Sequence, residues 1–561
     1  MDYSQHFSGR HTPQSEAIPG STQVPNSGGG YAWPVDSWTR LDRFLILGAE
    51  GASYYASENK LVQENAQAVL ECVKSDGLRA VARITEVSLA GKAPKNDPAI
   101  FALALAASYG DAQTKVVALA AVPKVCRIGT HLFHFAHFIQ EFRGWGRGLR
   151  RAVQQWYQQD VDALALQAVK YVQRDGWTHR DLLRLAHPKP PTAAHQLLYR
   201  WITKGEAGPE SPRLVQGMET LRNATTGKDV ARLIRDYRLP REAIEVAGTS
   251  WLNSVEVWEA LLDEMPLTAM VRNLARMTAL GLLAPLSNAV AHVVRALGNP
   301  ETIRKARIHP VQLLSALRVY QQGHGERGKL TWQPVSQIID ALDAAFYLAF
   351  ENAPQTGKRL VLALDVSGSM AIGPIAGIPG LTPRDMAAAL ALVTAAREPN
   401  HVIVGFTCAG AGAFRSGTSI HGRGYQDGLS VLPISSRQRL SDAVKAVSTL
   451  PFGGTDCALP MLWGLQGKID ADAFIILTDN ETWAGGVHPV QALRQYRRER
   501  IATAKLIVVG MVSNGFSIAD PADAGMLDVV GCDPAVPGLI AEFVDHGGQE
   551  PEAVSRRAGQ D

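Results

Sequence analysis

The chain has 561 residues, 46% hydrophobic and 19% charged, with 56 Lys+Arg against 53 Asp+Glu and a formal net charge of +3. At about 150 residues per domain this length predicts two to four domains with ordinary cores, and the apolar content excludes a disordered chain. No apolar run approaches the ~18 residues of a membrane span, and the N-terminal MDYSQHFSGRHTPQSE has no apolar h-region. Five cysteines (Cys72, Cys126, Cys408, Cys457, Cys532) are scattered and form no CxxC. They argue against a disulfide framework or structural zinc and predict a reducing, cytoplasmic setting.

The near-neutral total hides segregation. Residues 1–350 carry +7 and residues 351–561 carry −4. Residues 101–200 alone hold 13 basic and 6 acidic side chains, with six of the 15 histidines. A concentrated positive field is the footprint of a polyanion binder.

Residues 1–30, rich in Gly, Ser and Pro (PGSTQVPNSGGG), read as a flexible N-terminal arm or a strap on the surface. Residues 31–353 read as successive short helices, among them DPAIFALALAASYG, DVDALALQAVKYVQR, SVEVWEALLDE and SQIIDALDAAFYLAF. Their apolar residues recur at three and four, and Gly, Pro, Asn or Asp breaks separate them, as expected of a helical-repeat array without a crisp period. The pattern changes at 354–359 (PQTGKR) and residues 354–548 alternate strands with helices. LVLALDV, HVIVGFT, AFIILTD, AKLIVVGMV and LDVVGC are the strand candidates. Thr382, Pro383 and Asp385 make a helix start from a capping hydroxyl, an N-terminal proline and an acid at the positive dipole end. The expectation is a doubly wound α/β domain on a parallel sheet, with a long hairpin or loop over 409–431 and a polar tail over 549–561.

In an open α/β sheet, ligands bind beyond the carboxyl ends of the strands. There Asp365-Val366-Ser367-Gly368-Ser369 offers a carboxylate and two hydroxyls, Gly453-Gly454-Thr455-Asp456 a third hydroxyl, and Asp479 a second carboxylate. An all-oxygen set completed by water suits Mg²⁺. The domain resembles a von Willebrand factor A (vWA) domain with its metal-ion-dependent adhesion site. The resemblance implies Ser367, Ser369 and Thr455 as ligands, Asp365 and Asp479 in or just behind the coordination sphere, and an open position for a partner's carboxylate.

Within the basic hundred, His131, His134 and His137 recur every three residues on one helix face. Metal ligation, a polar seam between helices and contact with nucleic acid all remain open for them. Arg143, Arg147, Arg150 and Arg151 surround Gly144, Gly146 and Gly148, where backbone and guanidinium groups could meet phosphate; a solvated helix face is the plain alternative. Lys170 and Arg174, four apart on an expected helix, stand near His179, Arg180 and His187, with Tyr171 and Trp177 as stacking candidates. Cations interleaved with aromatics suit single-stranded or irregular RNA better than duplex DNA.

Long stretches, including GYAWPVDSWTRLDRFLILG, GKAPKNDPAIFALALAAS, GTHLFHFAHFIQEFRGWGRGLRRAV, GWTHRDLLRLAHPKP and GHGERGKLTW, resemble the TROVE-domain proteins: the Ro ribonucleoprotein autoantigens and their bacterial relatives. The resemblance covers about residues 30–545. It implies a ring of HEAT-type repeats closed by the vWA domain. It also implies small noncoding Y RNA on the outer surface, single-stranded ends of misfolded RNA in the central hole, and an exoribonuclease such as polynucleotide phosphorylase tethered through RNA. Lys170, Arg174 and His187 match the family's Y RNA patch; Arg143, Arg147, Arg150 and Arg151 rest on charge and spacing alone. The expected function is a noncatalytic RNA-binding scaffold in RNA quality control. A metal-dependent protein-adhesion scaffold is the rival. An enzyme is the weakest reading, since the chain has neither GxxxxGK[ST] nor HExxH.

Overall fold

The computed structural model describes residues 11–47, 58–90, 95–325, 329–371, 381–408, 428–450, 453–511, 516–530 and 536–546. The N-terminal stretch is a strap from residue 11 onward, not a free arm. Strand β1 (Val24–Pro25) pairs antiparallel with β2 (Tyr31–Pro34), and the strap lies along the C-terminal domain. This short pairing leaves many of the strap's polar groups over, and several find partners far along the chain. Gln14 N donates to Gly485 O at 2.9 Å, and Asn26 Nδ2 donates to Thr482 O at 2.7 Å.

Helices follow from Ser37 to Leu348, and second-next neighbours pack together: Asp97–Tyr109 on Gly129–Phe142, and Ala112–Val125 on Arg147–Trp156. No single helix could bury its apolar stripe alone; stacking buries them in turn. One departure from the expected pattern matters. The helix from Val161 stops at Lys170, and the chain then forms a two-stranded ribbon, β3 (Gln173–Arg174) against β4 (Trp177–Thr178). Asp175 and Gly176 both take positive φ (51° and 78°), the geometry of a type I′ hairpin turn. Lys170 and Arg174 therefore do not share a helix. The Asp-Gly between Arg174 and Trp177 is the local signal that helical periodicity overrode.

The C-terminal domain is a six-stranded sheet built from β5 (Leu360–Asp365), β6 (His401–Phe406), β7 (Leu429–Val431), β8 (Ala473–Thr478), β9 (Lys505–Gly510) and β11 (Met526–Val530). Their order is β11-β9-β8-β5-β6-β7, parallel except for the antiparallel edge strand β7. The sheet is thus mixed at one edge rather than wholly parallel. Of the expected insertion, residues 409–427 lie outside the described residues and 429–431 are β7. All six residues of β5 and of β8 are buried, as strands covered on both faces must be. A short strand β10 (Phe516–Ser517) pairs with β2 and draws the strap onto this domain.

Three apolar clusters organise the molecule. One unites the helices up to Val215. A second runs from Val169 through the later helices and under one face of the sheet. A third covers the other face. The junction at 354–359 is held by Glu398, whose buried carboxylate accepts from Thr356 N at 2.7 Å and Gly357 N at 3.0 Å. The two halves therefore share a core rather than hang on a linker.

Candidate nucleic-acid interface and metal centre

The basic surface is built on two helices running side by side. Arg147–Trp156 buries Leu149, Ala152, Val153 and Trp156, which turns Arg147, Arg150 and Arg151 to solvent on the opposite face. None of these three forms an ion pair among the described residues. The second helix, His179–Ala186, packs against the first and exposes Arg180 and Arg184. Trp145 meets Trp177 with ring centroids 5.6 Å apart, and Gln154 Nε2 donates to Ala186 O at 2.6 Å. Contacts at both ends align the two helices in the same direction.

His187 caps the second helix in the left-handed region (φ 50°) and is exposed. Arg174 projects from the ribbon with its side chain 58% exposed, and Lys170 lies 5.6 Å from the Tyr171 ring. Arg143 is exposed, but its Nη1 donates to Ala107 O at 2.7 Å, which ties that guanidinium to the helix Asp97–Tyr109.

His179 is a correction to the sequence expectation. It is 3% exposed, with Nδ1 2.7 Å from the Tyr157 hydroxyl and Nε2 3.3 Å from Gln167 O. Burial lowers its pKa to about 4, so it is a neutral core histidine and no phosphate ligand. His131 and His134 follow the polar-seam reading, while half-buried His137 packs beside the Phe138 ring. His134 is buried against Asp175, and His131, 3.3 Å from Asn96 Nδ2, is pushed down to about 4 by burial and by Arg127. Among the described residues no group of three or more His, Cys, Asp or Glu is arranged to hold a metal.

The oxygen-rich site sits where the strand order reverses, between β8 and β6 on either side of β5. Asp365, fully buried at the end of β5, accepts from Ser367 N at 2.8 Å and from Thr478 Oγ1 at 2.7 Å. Ser367 and Ser369 place their hydroxyl oxygens 3.1 Å apart. The Gly453–Asp456 loop is tied to the end of β6: Gly453 N donates to Thr407 Oγ1 at 2.8 Å, and that hydroxyl donates to Gly454 O at 2.7 Å. The loop after β8 joins it, with Trp483 N and Ala484 N both donating to Thr455 O at 3.1 Å.

The electrostatics fit a cation. Burial and the neighbouring Asp479, itself 4% exposed, raise the Asp365 pKa to about 7. Two carboxylates close together in a dry site are an excess of negative charge that a divalent ion would relieve. Asn480, at φ 67°, is fully buried with neither side-chain polar atom hydrogen-bonded. The donor set of hydroxyls and carboxylates is the one Mg²⁺ prefers.

Motif reading missed three neighbours. Gln14 Nε2 donates to Asp456 Oδ1 at 2.7 Å, and its carbonyl accepts from Thr482. Gly28 N donates to Glu481 Oε2 at 2.7 Å. Trp483, 44% exposed, lies against Gly454, where an added Cβ would stand 2.8 Å from the indole. The Gln14 and Gly28 contacts span hundreds of residues and the Trp483 contact tens, so none leaves a local signal.

A helical-repeat array joined through a shared core to a vWA-type domain with this loop set defines a class. Residues 24–207 and 237–319 match the TROVE domain, residues 359–544 match the Ro60 vWA domain, and the chain belongs to the Ro family of TROVE–vWA proteins. Its relatives include the RNA-binding protein RO60 of Deinococcus radiodurans, 42% identical over 95% of this chain and 97% of that one. The RNA-binding protein RO60 of Caenorhabditis elegans is 36% identical, covering 93% of this chain and 90% of that one. The crystal structure of the D. radiodurans RO (RSR) protein superposes with a TM-score of 0.74 at 40% identity, covering 91% of this chain and 99% of that one.

Proposed function

We propose that the chain is a noncatalytic RNA-binding scaffold. The observation that carries this reading is the row of unpaired, solvent-facing Arg147, Arg150 and Arg151 alongside the exposed Arg180 and Arg184 of a parallel helix, with Arg174 on the ribbon that leads into that helix and His187 at its C-terminus. Guanidinium groups on a rigid frame meet phosphates bidentately, and the relatives are named for RNA binding. The finer assignment is a Y-type small noncoding RNA on this face, with single-stranded ends of misfolded RNA taken into a central opening. The chain would then serve RNA quality control in the cytoplasm, with an exoribonuclease tethered through the RNA. Among the described residues no helix is long and apolar enough to cross a membrane.

Fluorescence anisotropy with a labelled stem–loop RNA carrying a single-stranded 3′ tail tests the reading. Charge reversal at Lys170 and Arg174, or at Arg147, Arg150 and Arg151, should weaken binding. Each lost phosphate contact should flatten the log K versus log salt slope by about 0.7–0.9. Unchanged affinity in both variants would remove the patch from the interface.

The oxygen-rich loop set supports a second reading, adhesion through a bound cation. Ser367, Ser369 and Thr455, backed by Asp365 and Asp479, would hold Mg²⁺ with a position open to a partner's carboxylate. The exposed Trp483 beside the loop favours protein adhesion at this face. Loss of RNA binding in Asp365→Ala at unchanged stability would instead assign the metal to RNA.

A further inference from the structure

Asp175 stands at the tip of the ribbon that carries Arg174, inside the most basic stretch of the chain. An acid there repels the phosphates that the surrounding cations attract, so its place calls for a structural reason. One carboxylate oxygen, Oδ1, lies 3.8 Å from Arg174 Nε. The other, Oδ2, is held by His134 Nδ1 on the helix Gly129–Phe142. His134 is in turn fixed: it is 8% exposed, stacks on Phe138 with centroids 6.4 Å and planes 18° apart, and places Nε2 3.9 Å from Asp97 Oδ1. A line of contacts therefore runs from a buried imidazole through a turn carboxylate to an exposed guanidinium. The ribbon itself has only two register pairs, Gln173 with Thr178 and Arg174 with Trp177, too few to hold its own orientation in water.

We propose that Asp175, braced by His134, is a positioning residue that orients the Arg174 guanidinium and the ribbon tip for phosphate. The inference rests on the reading of this surface as an RNA interface. Its benefit is pre-organisation: a long arginine otherwise loses side-chain freedom on binding, and a braced one has already lost part of it.

Asp175→Asn separates this role from charge. Asn-Gly is the strongest I′ turn pair, so the backbone is kept while the anion goes. On charge alone, deleting an acid beside a polyanion site raises RNA affinity. Positioning predicts the opposite, a loss of about two- to fivefold, the range of an exposed ion pair. The measurement is anisotropy with the tailed stem–loop RNA on the full chain, with thermal midpoints recorded for each variant. Arg174→Ala comes first: if it leaves affinity unchanged, the RNA reading of the ribbon fails before Asp175 is questioned. If Arg174→Ala weakens binding, Asp175→Asn should weaken it too, and the double variant should match Arg174→Ala alone, because a brace has nothing left to orient. An affinity that rises or stays level in Asp175→Asn, or additive losses in the double variant, overturns the proposal. Should Asp175→Asn unfold the ribbon, His134→Leu removes the brace from the buried side, with the same expected loss and the same absence of effect in the Arg174→Ala background.

Discussion

His179 shows how far residue type alone can mislead. It follows Trp177 and precedes Arg180 in a basic stretch, which reads as a phosphate-contacting set. In the fold it packs 4.8 Å from Phe133 and 5.9 Å from Trp156 between ring centroids, and it is neutral. Burial holds its pKa at about 4 against 6.5 in the unfolded chain. The unfolded state therefore binds more protons between these values, and stability falls as pH drops from 6.5 towards 4. The expected outcome is a thermal midpoint that declines over that window in native protein. A His179→Gln variant should start lower and show a shallower decline, because His131 and His309, also lowered to about 4 by burial, still contribute. An unchanged slope would mean that His179 is not a titrating core group. The exposed arginines were legible because their chemistry needs only exposure, which the 3.6-residue pattern of the helix predicts. His179 was not, since its neighbours Tyr157 and Gln167 come from other elements.

At the scale of elements, the loops beyond β5, β6 and β8 act together. Asp365 ends β5 and Asp479 follows β8, and β5 lies between β8 and β6, so the parallel order alone converges these loops at one end of the sheet. Asp-Val-Ser-Gly-Ser and the terminal Thr-Asp were legible as strand ends and Gly-Gly-Thr-Asp as a glycine-flanked hydroxyl loop, because each is a local property. Native protein should gain about 2.7 kcal/mol of stability at Mg²⁺ one hundredfold above its dissociation constant, seen as a rise in thermal midpoint. Asp365→Asn should abolish that rise. It should not destabilise the metal-free protein much, because it also removes repulsion from Asp479. A Mg²⁺-dependent midpoint surviving in Asp365→Asn would move the cation elsewhere.

At the scale of the whole molecule, the N-terminal strap belongs to the C-terminal domain. Gln14 bonds Asp456 and Val487, Asn26 bonds Thr482, and His488 Nε2 lies 2.8 Å from Glu16 O. Gln14 is fully buried, and Asp456 is pushed up to about 6 by the same burial. Gln14→Leu leaves that carboxylate and the Val487 carbonyl short of a donor, which costs about 2–3 kcal/mol. Chemical denaturation should show this loss, and the Mg²⁺-induced stabilisation should shrink with it as the loop that carries Thr455 loosens. A variant as stable as native would mean that the strap only rests on the domain. Arg43, on the first helix, pairs with the buried Asp528 of β11 and joins the start of the helical array to the far edge of the sheet.

The sequence by itself determined the two-part architecture, the strands of the parallel core, the Thr382 cap and the oxygen-bearing loops. Each follows from periodicity or chemistry contained within a few consecutive residues. Only the tertiary structure decided which of the basic hundred's histidines are buried, that Arg174 rides on a ribbon whose Asp175 meets His134, and that residues 11–34 strap the oxygen-bearing loops. Those outcomes depend on contacts between residues tens to hundreds of positions apart, and no local pattern encodes which distant surface a side chain will meet.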